Sequence, residues 1–372
     1  MVPFAGLLAA LEGIPDPRRR QGRRYPLPHL LLFSVLAVLA GATSYRGVRV
    51  FIAVHRERLN ATFGARFRQA PAVNTLRALF QALDPAELEA AFRQHAQGLS
   101  GRAPASEPRI VALDGKTLKR SFDHLNDRAA AHVLSAFACE AALILAHQEV
   151  RDAPDEIPAV QALIEALGVR GALFTADALH CQREGFARAA ETGNALLVRV
   201  KDNQPNLHAA LAELCAEQRP FSSDETVDRR RHGRQEHRRV EVFDTAGQLD
   251  APWRTLIACV ARVSRLTYTK DTRSGLWPTR EETGYYACQI RRDAKSLAQA
   301  IRAHWGIENR AHYVRDATLG EDGSQIRNRP DVMARIRSVA LNILRANGVQ
   351  NIRQALYANA LSFDRLLALG TS

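Results

Sequence analysis

Three features of this 372-residue chain predict an α/β protein preceded by an all-α N-terminal domain. Residues 1 to about 100 carry apolar side chains at helical spacing. Past a Gly/Pro/Ser/Ala-rich linker, Ser100–Pro108, short apolar runs alternate with helical stretches, as in a sheet with helices packed on it. From residue 205 to about 292 the pattern turns β-rich, and helical periodicity then returns. The predicted parts are 1–100, helical; 109–204, the first part of the core; 205–292, a β-rich insertion; and 293–372, the second part of the core with the C-terminal helices.

In order, helices are expected at Pro3–Leu11, Leu30–Ala42, Tyr45–His55 and Thr75–Leu83. A further helix opens at Asp84-Pro85, where Asp caps and Pro occupies the first helical position, and runs to about Gly98. Strands follow at Arg109–Leu113, His132–Glu140 and Ala142–Val150. The helix Pro154–Leu167 has Asp155 and Glu156 in its first turn, where they complement the helix dipole. The strand Gly171–Ala176, a helix at Cys181–Thr192 and the strand Ala195–Val200 complete the first half of the core. The insertion holds strands at Arg239–Phe243, Thr255–Arg265 and Tyr285–Ile290. Helices at Ser296–Asn309 and Pro330–Asn347 close the chain.

A hydrophobic share of 46% and a charged share of 24% exclude a disordered chain, a collagen repeat or a coiled-coil rod. The net charge of +12 calls for a polyanionic partner, nucleic acid or an acidic membrane surface. The longest apolar run, Leu30–Ala42, falls well short of the roughly 20 residues a spanning helix needs, so no membrane partner is expected. With no signal-peptide pattern, a cytoplasmic location is expected. Five dispersed cysteines without a C-x-x-C pair read as reduced, buried thiols, not as disulfides or a zinc site.

Asp114 and Asp177 each end an apolar strand, the edge at which open α/β sheets collect ligands. Two converging carboxylates repel, and a hard divalent cation relieves that repulsion. Glu308, in Ile301-Arg-Ala-His-Trp-Gly-Ile-Glu-Asn309, is the best third ligand for a two-metal site suited to phosphoryl displacement; Asp316, Glu321 and Asp322 are its rivals. Lys116 and Lys201 flank these positions as phosphate-neutralising charges. Asp228–Arg239 packs six arginines and two histidines into twelve residues; Arg229, Arg230, Arg231, Arg234 and Arg238 are its candidate DNA contacts, and Arg18–Arg24 is a second basic segment. His304 either faces a metal site or packs on Trp305. Trp305 reads as core more than as a stacking platform, and Gln204 and Asn309 read as backbone caps.

The segments Asp114-Gly-Lys-Thr-Leu-Lys-Arg-Ser121, Asp177-Ala-Leu-His-Cys-Gln182, Lys201-Asp-Asn-Gln204 and Arg302-Ala-His-Trp-Gly-Ile-Glu-Asn309 resemble the DDE transposases of the ISAs1 group, related to the IS4-like enzymes. The resemblance continues through His232-Gly-Arg-Gln-Glu-His-Arg238, His312-Tyr-Val-Arg-Asp316 and Gly320-Glu-Asp322. Upstream, Leu11-Glu-Gly-Ile-Pro-Asp-Pro-Arg-Arg19 and Thr75–Pro85 look like the helical domain that accompanies this group, the H-repeat type.

The resemblance implies an RNase H-like catalytic core with a β-rich insertion. Asp114 would lie on its first strand, Asp177 just after the fourth, and Glu308 on a helix after the insertion. Asp177 follows Asp114 by 63 residues and Glu308 follows Asp177 by 131, which accommodates that insertion. It implies Mg²⁺, or Mn²⁺ in its place, held by Asp114, Asp177 and Glu308. The ions would serve cleavage and strand transfer at transposon terminal inverted repeats and target DNA. It also implies a homodimer or higher assembly on DNA in the bacterial cytoplasm, associated with the nucleoid. Where the wider relatives carry Tyr and Arg upstream of the glutamate, this chain has Ile301 and His304; Arg315 takes the downstream Lys position as a candidate phosphate clamp. The alternatives are a metal-dependent DNA nuclease without strand transfer, and an inactive DNA-end-binding descendant.

Overall fold

The structure, a computed structural model, describes residues 2–100, 109–122, 129–150, 156–230, 234–245, 247–271 and 273–371. The linker expected at Ser100–Pro108 lies outside the described residues except for Ser100. The fold is mixed α/β with a helical N-terminus. Two compact units share the chain: Ser106–Asp114 with Val160–Trp305, and Met1–Ala105 with Gly115–Ala159 and Gly306–Ser372.

The first unit is built on a mixed sheet. Strand β1 (Ile110–Thr117) enters it through the fully buried Val111, Ala112 and Leu113. It pairs in parallel with β4 (Leu173–Ala176), which pairs in parallel with β5 (Ala195–Val200). Helix α6 (Glu156–Leu167) precedes β4 in the chain. Parallel neighbours need a crossover, and α7 (Arg183–Glu191) supplies it between β4 and β5. Beyond β5 the sheet turns antiparallel through β9 (Thr279–Cys288), β8 (Cys259–Thr269), β7 (Arg234–Asp244) and β6 (Ser222–Arg230). These four strands extend the edge of the sheet as two long hairpins. Helix α8 (Pro205–Glu217), which starts with Pro at its first position, leads into them. Helix α9 (Ala294–Ile307) lays Ala294, Leu297, Ala300 and Ile301 against Val240, Val242, Ala261 and Val263, forming the apolar core of this unit.

Strand β6 was not expected, because Ser222–Arg230 is polar on both faces and carries no apolar alternation. The strand expected from Thr255 instead starts at Cys259, since Trp253–Thr255 forms a short 3₁₀ turn.

In the second unit, α1 (Ala5–Glu12), α2 (Leu27–Leu39), α3 (Tyr45–Phe63), α4 (Val73–Ala82) and α5 (Pro85–Ser100) pack with α10 (Pro330–Ala346), α11 (Ile352–Leu361) and α12 (Phe363–Ala368). Asp84 caps α5, its carboxylate accepting from the Ala86 amide at 2.8 Å. Helix α2 is apolar all round because all of it from Leu30 to Leu39 is buried. Helix α10 is buried from Asp331 to Leu344, and its polar side chains are paired. Arg335 meets Glu89 at 2.7 Å and Asp331 at 2.9 Å. The antiparallel hairpin of β2 (His132–Ala138) and β3 (Leu143–Val150) lies against α5 and α10. Asn342 clamps it, accepting from the Ile144 amide at 2.9 Å and donating to the Ile144 carbonyl at 2.7 Å. All five cysteines are buried. Among the described residues no helix is long and apolar enough to cross a membrane.

Candidate active site

The register of β1 on β4 pairs Leu113 with Ala176, so Asp114 and Asp177 occupy neighbouring positions at the C-terminal edge of adjacent parallel strands. Strands in a sheet lie about 4.8 Å apart, close enough for two carboxylates to share an ion. Asp177 leaves β4 in extended geometry (φ −69°, ψ 169°) and accepts from the Ala178 amide at 2.6 Å, capping the short turn Ala178–His180. Its side chain is 60% exposed, with Lys201 Nζ 3.9 Å away. Lys201 ends β5 beside it and is half-exposed, so one positive charge stands next to this carboxylate.

The loops after β4 and β5 brace each other. Asn203 donates to the Ala178 carbonyl at 2.7 Å, and Gln204 donates to the Cys181 carbonyl at 2.9 Å. Gln204 thus satisfies local backbone, as its sequence context suggested. From above the same strand, Thr175 Oγ1 contacts His304 Nδ1 at 3.0 Å. The last turn of α9 is thereby fixed to β4 two residues before Asp177. Trp305 is 53% exposed, which corrects the expectation that it belongs to the core.

Glu308 follows His304 by one helical turn, and there the helix widens into π-helical geometry over Glu308–His312. Such π-helical turns concentrate at functional sites. Glu308 is half-exposed, and His312 Nδ1 lies 3.9 Å from its carboxylate. Burial holds His312 below the usual histidine range despite Glu308. His312 was not singled out from the sequence. Its i,i+4 spacing from Glu308 was the available signal, but any helix carries many such pairs.

Two candidate phosphate contacts are corrected by burial. Arg315 is fully buried and its guanidinium donates to Glu321 at 2.9 Å, so no phosphate reaches it. Lys116 is 7% exposed and ion-paired with Asp316, with Glu321 3.6 Å away. The rival acidic cluster is likewise committed. Glu321 neutralises Arg315, Arg337 and Lys116, and Asp322 pairs with Lys119 at 2.9 Å.

The described part of the basic stretch lies at the end of β6 and the start of β7, where Arg230 opposes Arg234. Arg231 and the side chains of Arg229 and Arg230 lie outside the described residues. Arg234 is partly exposed, whereas Arg238 is mostly buried; both contact Glu236, at 3.3 and 2.6 Å. In the second basic segment Arg18 is bound by Asp16 and the Tyr25 carbonyl, and Arg19, Arg20 and Arg24 are exposed.

Comparison with known proteins agrees with this geometry. Residues 105–344 match the family described as Transposase DDE domain, and residues 8–96 match the family described as DDE_Tnp_1-associated. The chain is 28% identical to "H repeat-associated putative transposase YhhI" of Escherichia coli K12, over 91% of this chain and 90% of that one. It is 29% identical to "Putative transposase YncI" of Escherichia coli O157:H7, over 97% and 94% of the two chains. Among solved structures, a piggyBac transposase synaptic complex with hairpin DNA aligns at TM-score 0.47 and 10% identity, covering 99% of this chain and 76% of that one. With most of its length matched by the transposase domain and two strand-end aspartates side by side, the chain belongs to the DDE transposase family, as an insertion-sequence transposase that acts on DNA.

Proposed function

We propose that the enzyme cleaves and joins DNA at the terminal inverted repeats of its element, with Asp114, Asp177 and Glu308 as ligands of two divalent ions. The single observation that carries this reading is the pairing of β1 with β4, which sets two carboxylates side by side at one sheet edge. The donor set fits a hard cation: it is all oxygen, and Asp177 is open to solvent. Mg²⁺ is the proposed metal and Mn²⁺ its substitute. Bound there, the ions would supply Lewis-acid activation of the attacking oxygen and stabilise the leaving one.

The protein's own groups supply position and charge. The Ala178 amide holds the Asp177 carboxylate, and Lys201 offers a point charge to a nearby phosphate. The Thr175–His304 contact fixes the last turn of α9 to β4. The arginines Arg229, Arg230, Arg231 and Arg234 at the end of β6 and the start of β7 contribute contacts to the DNA backbone, while Arg238 is held by Glu236. We assign end recognition to the helices of residues 1–100, and the working form to a homodimer or larger assembly on paired ends at the bacterial nucleoid.

The test supplies duplexes carrying the element's ends and target DNA, with Mg²⁺. Asp114→Asn, Asp177→Asn and Glu308→Gln should each lower cleavage ~10²–10³-fold, the scale of losing one transition-state charge stabiliser, while leaving DNA affinity intact. Unchanged cleavage in Asp114→Asn overturns the assignment. Pre-cleaved ends bearing 3′-hydroxyls separate a transposase, which yields joined products, from a nuclease, which yields none.

A further inference from the structure

One face of the inserted sheet changes character along its strands. Near the start of α9 it is apolar: Val242 and Val240 on β7 and Ala261 and Val263 on β8 lie under Ala294, Leu297 and Ile301. Two residues further along each strand the same face presents Arg238 and Arg265, which oppose each other in the register. Arg199 on β5 opposes Tyr286 on β9. Together Arg199, Arg238, Arg265, Tyr286 and the carboxylate Glu282, closed on the helix side by Ile301 and Trp305, line a cleft of about 190 Å³. At roughly 30 Å³ per water this is room for about six waters, enough for a phosphodiester group and too little for a drug-sized ligand.

The charges there do not cancel. Glu236 is shared between Arg234 and Arg238, and Glu282 between Arg265 and Arg280. The buried Arg199 Nε has no hydrogen-bond partner among the described residues. Its guanidinium lies across β9 at Gly284, about 3.4 Å from where a Cβ would stand, an ordinary van der Waals distance. Burial, reinforced by Arg302 and Arg265, pulls Arg238 below the usual guanidinium range, and burial keeps the Tyr286 phenol protonated as a donor. Ala176, Val198 and Ala287 form one row across β4, β5 and β9, and Arg199 and Tyr286 form the next, so the cleft lies at the strand end where Asp177 follows Ala176.

We infer that this cleft binds one phosphodiester group of a DNA strand, with Arg199 and Arg265 as its charged donors and Tyr286 as its hydroxyl donor. The inference rests on the reading of the chain as a DNA-cleaving transposase, and it names where one backbone phosphate of that DNA is held. Guanidinium suits the task, since its planar fork meets two phosphate oxygens at once.

The experiment measures binding of a labelled single-stranded oligonucleotide from an element end by the full chain, in EDTA, across a salt series. Working without metal keeps the outcome independent of the carboxylate assignment. Should Asp114→Asn leave cleavage intact, the binding result still stands on its own; should binding fail to respond, the cleavage assignment is untouched. Arg199→Gln and Arg265→Gln are expected to weaken binding about 5–20-fold and to flatten the log–log salt slope by about 0.7 each, one phosphate contact on a single strand. Arg170→Gln, an exposed arginine in the loop entering the opposite end of β4, is the control and should change neither.

An affinity and slope for Arg199→Gln equal to those of Arg170→Gln overturn the inference. If Arg199→Gln does not fold, replacing single phosphates by neutral methylphosphonates on the DNA reads the same contact with the unaltered protein. One position must then reproduce the loss, and a flat scan overturns the inference. Inorganic phosphate is the remaining probe. If it quenches Trp305 fluorescence in the unaltered chain but not in Arg199→Gln, while Arg199→Gln leaves DNA binding unchanged, the cleft serves a free anion and the DNA assignment fails.

Discussion

At the scale of single residues, burial decides which charges are free to act. Glu321 shows the principle. Burial alone would raise its carboxyl, but Arg315, Arg337 and Lys116 outweigh that and hold it below the ordinary glutamate value. A carboxyl whose folded value is depressed stays ionised in the native state and contributes stability above the unfolded value near 4.3. That contribution fades as pH falls from about 4.3 down through the folded value. Glu321→Gln should therefore flatten the fall of unfolding free energy in that acid window, read by thermal melts across pH; a slope identical to the unaltered protein's contradicts it. Arg315→Ala leaves part of a buried carboxylate uncompensated and should cost about 3–5 kcal/mol, the scale of breaking a buried ion pair from one side. A melting temperature within a degree of the parent refutes that.

At the scale of elements, strands β6 to β9 form two long hairpins whose roots near α9 are apolar. The end of β6 and the start of β7 concentrate arginine, so Arg229, Arg230 and Arg231 changed together to Ala should weaken binding to duplex DNA and flatten its salt slope by as much as about 0.9 per lost phosphate contact. Cleavage of DNA already bound should survive, since none of the three belongs to the carboxylate set. A salt slope that does not move removes this stretch from the DNA surface. Helix α9 ties these levels together: its first turns cover the apolar part of the inserted sheet, and its last fixes His304 to Thr175.

At the scale of the whole molecule, the N-terminal helices share a compact unit with the C-terminal ones. The buried faces of α2 and α10 meet, and α5 covers both α10 and β3. Removing residues 1–100 strips the cover from Ile336 and Val339 of α10 and deprives Arg335 of Glu89. A chain beginning at Arg109 is expected to aggregate on expression, with solubility after centrifugation as the measure. A soluble fragment with a cooperative melt contradicts this. The net charge of +12 acts at the same scale, drawing DNA to the protein before any specific contact forms.

Much of this was legible in the chain itself. β1, β4 and β5 announce themselves as apolar runs because strands buried on both faces need no alternation, and Asp114 and Asp177 stand out as the charges that end two of them. Helices α5 and α10 were visible from the Asp84-Pro85 cap and from periodicity. The neighbouring placement of Asp114 and Asp177 waited on the β1–β4 register, which no local pattern encodes. Arg315 and Lys116 read as phosphate ligands until the fold set them against Glu321 and Asp316; Lys116 and Asp316 are separated by 200 residues. Trp305 read as core until α9 left it half-exposed over the arginine cleft, and that cleft draws its walls from β5, β7, β8, β9 and α9. Local order along the chain determined the elements and the family. The charges left free to meet DNA were decided only by tertiary structure, because burial and ion pairing depend on partners that the linear sequence keeps far apart.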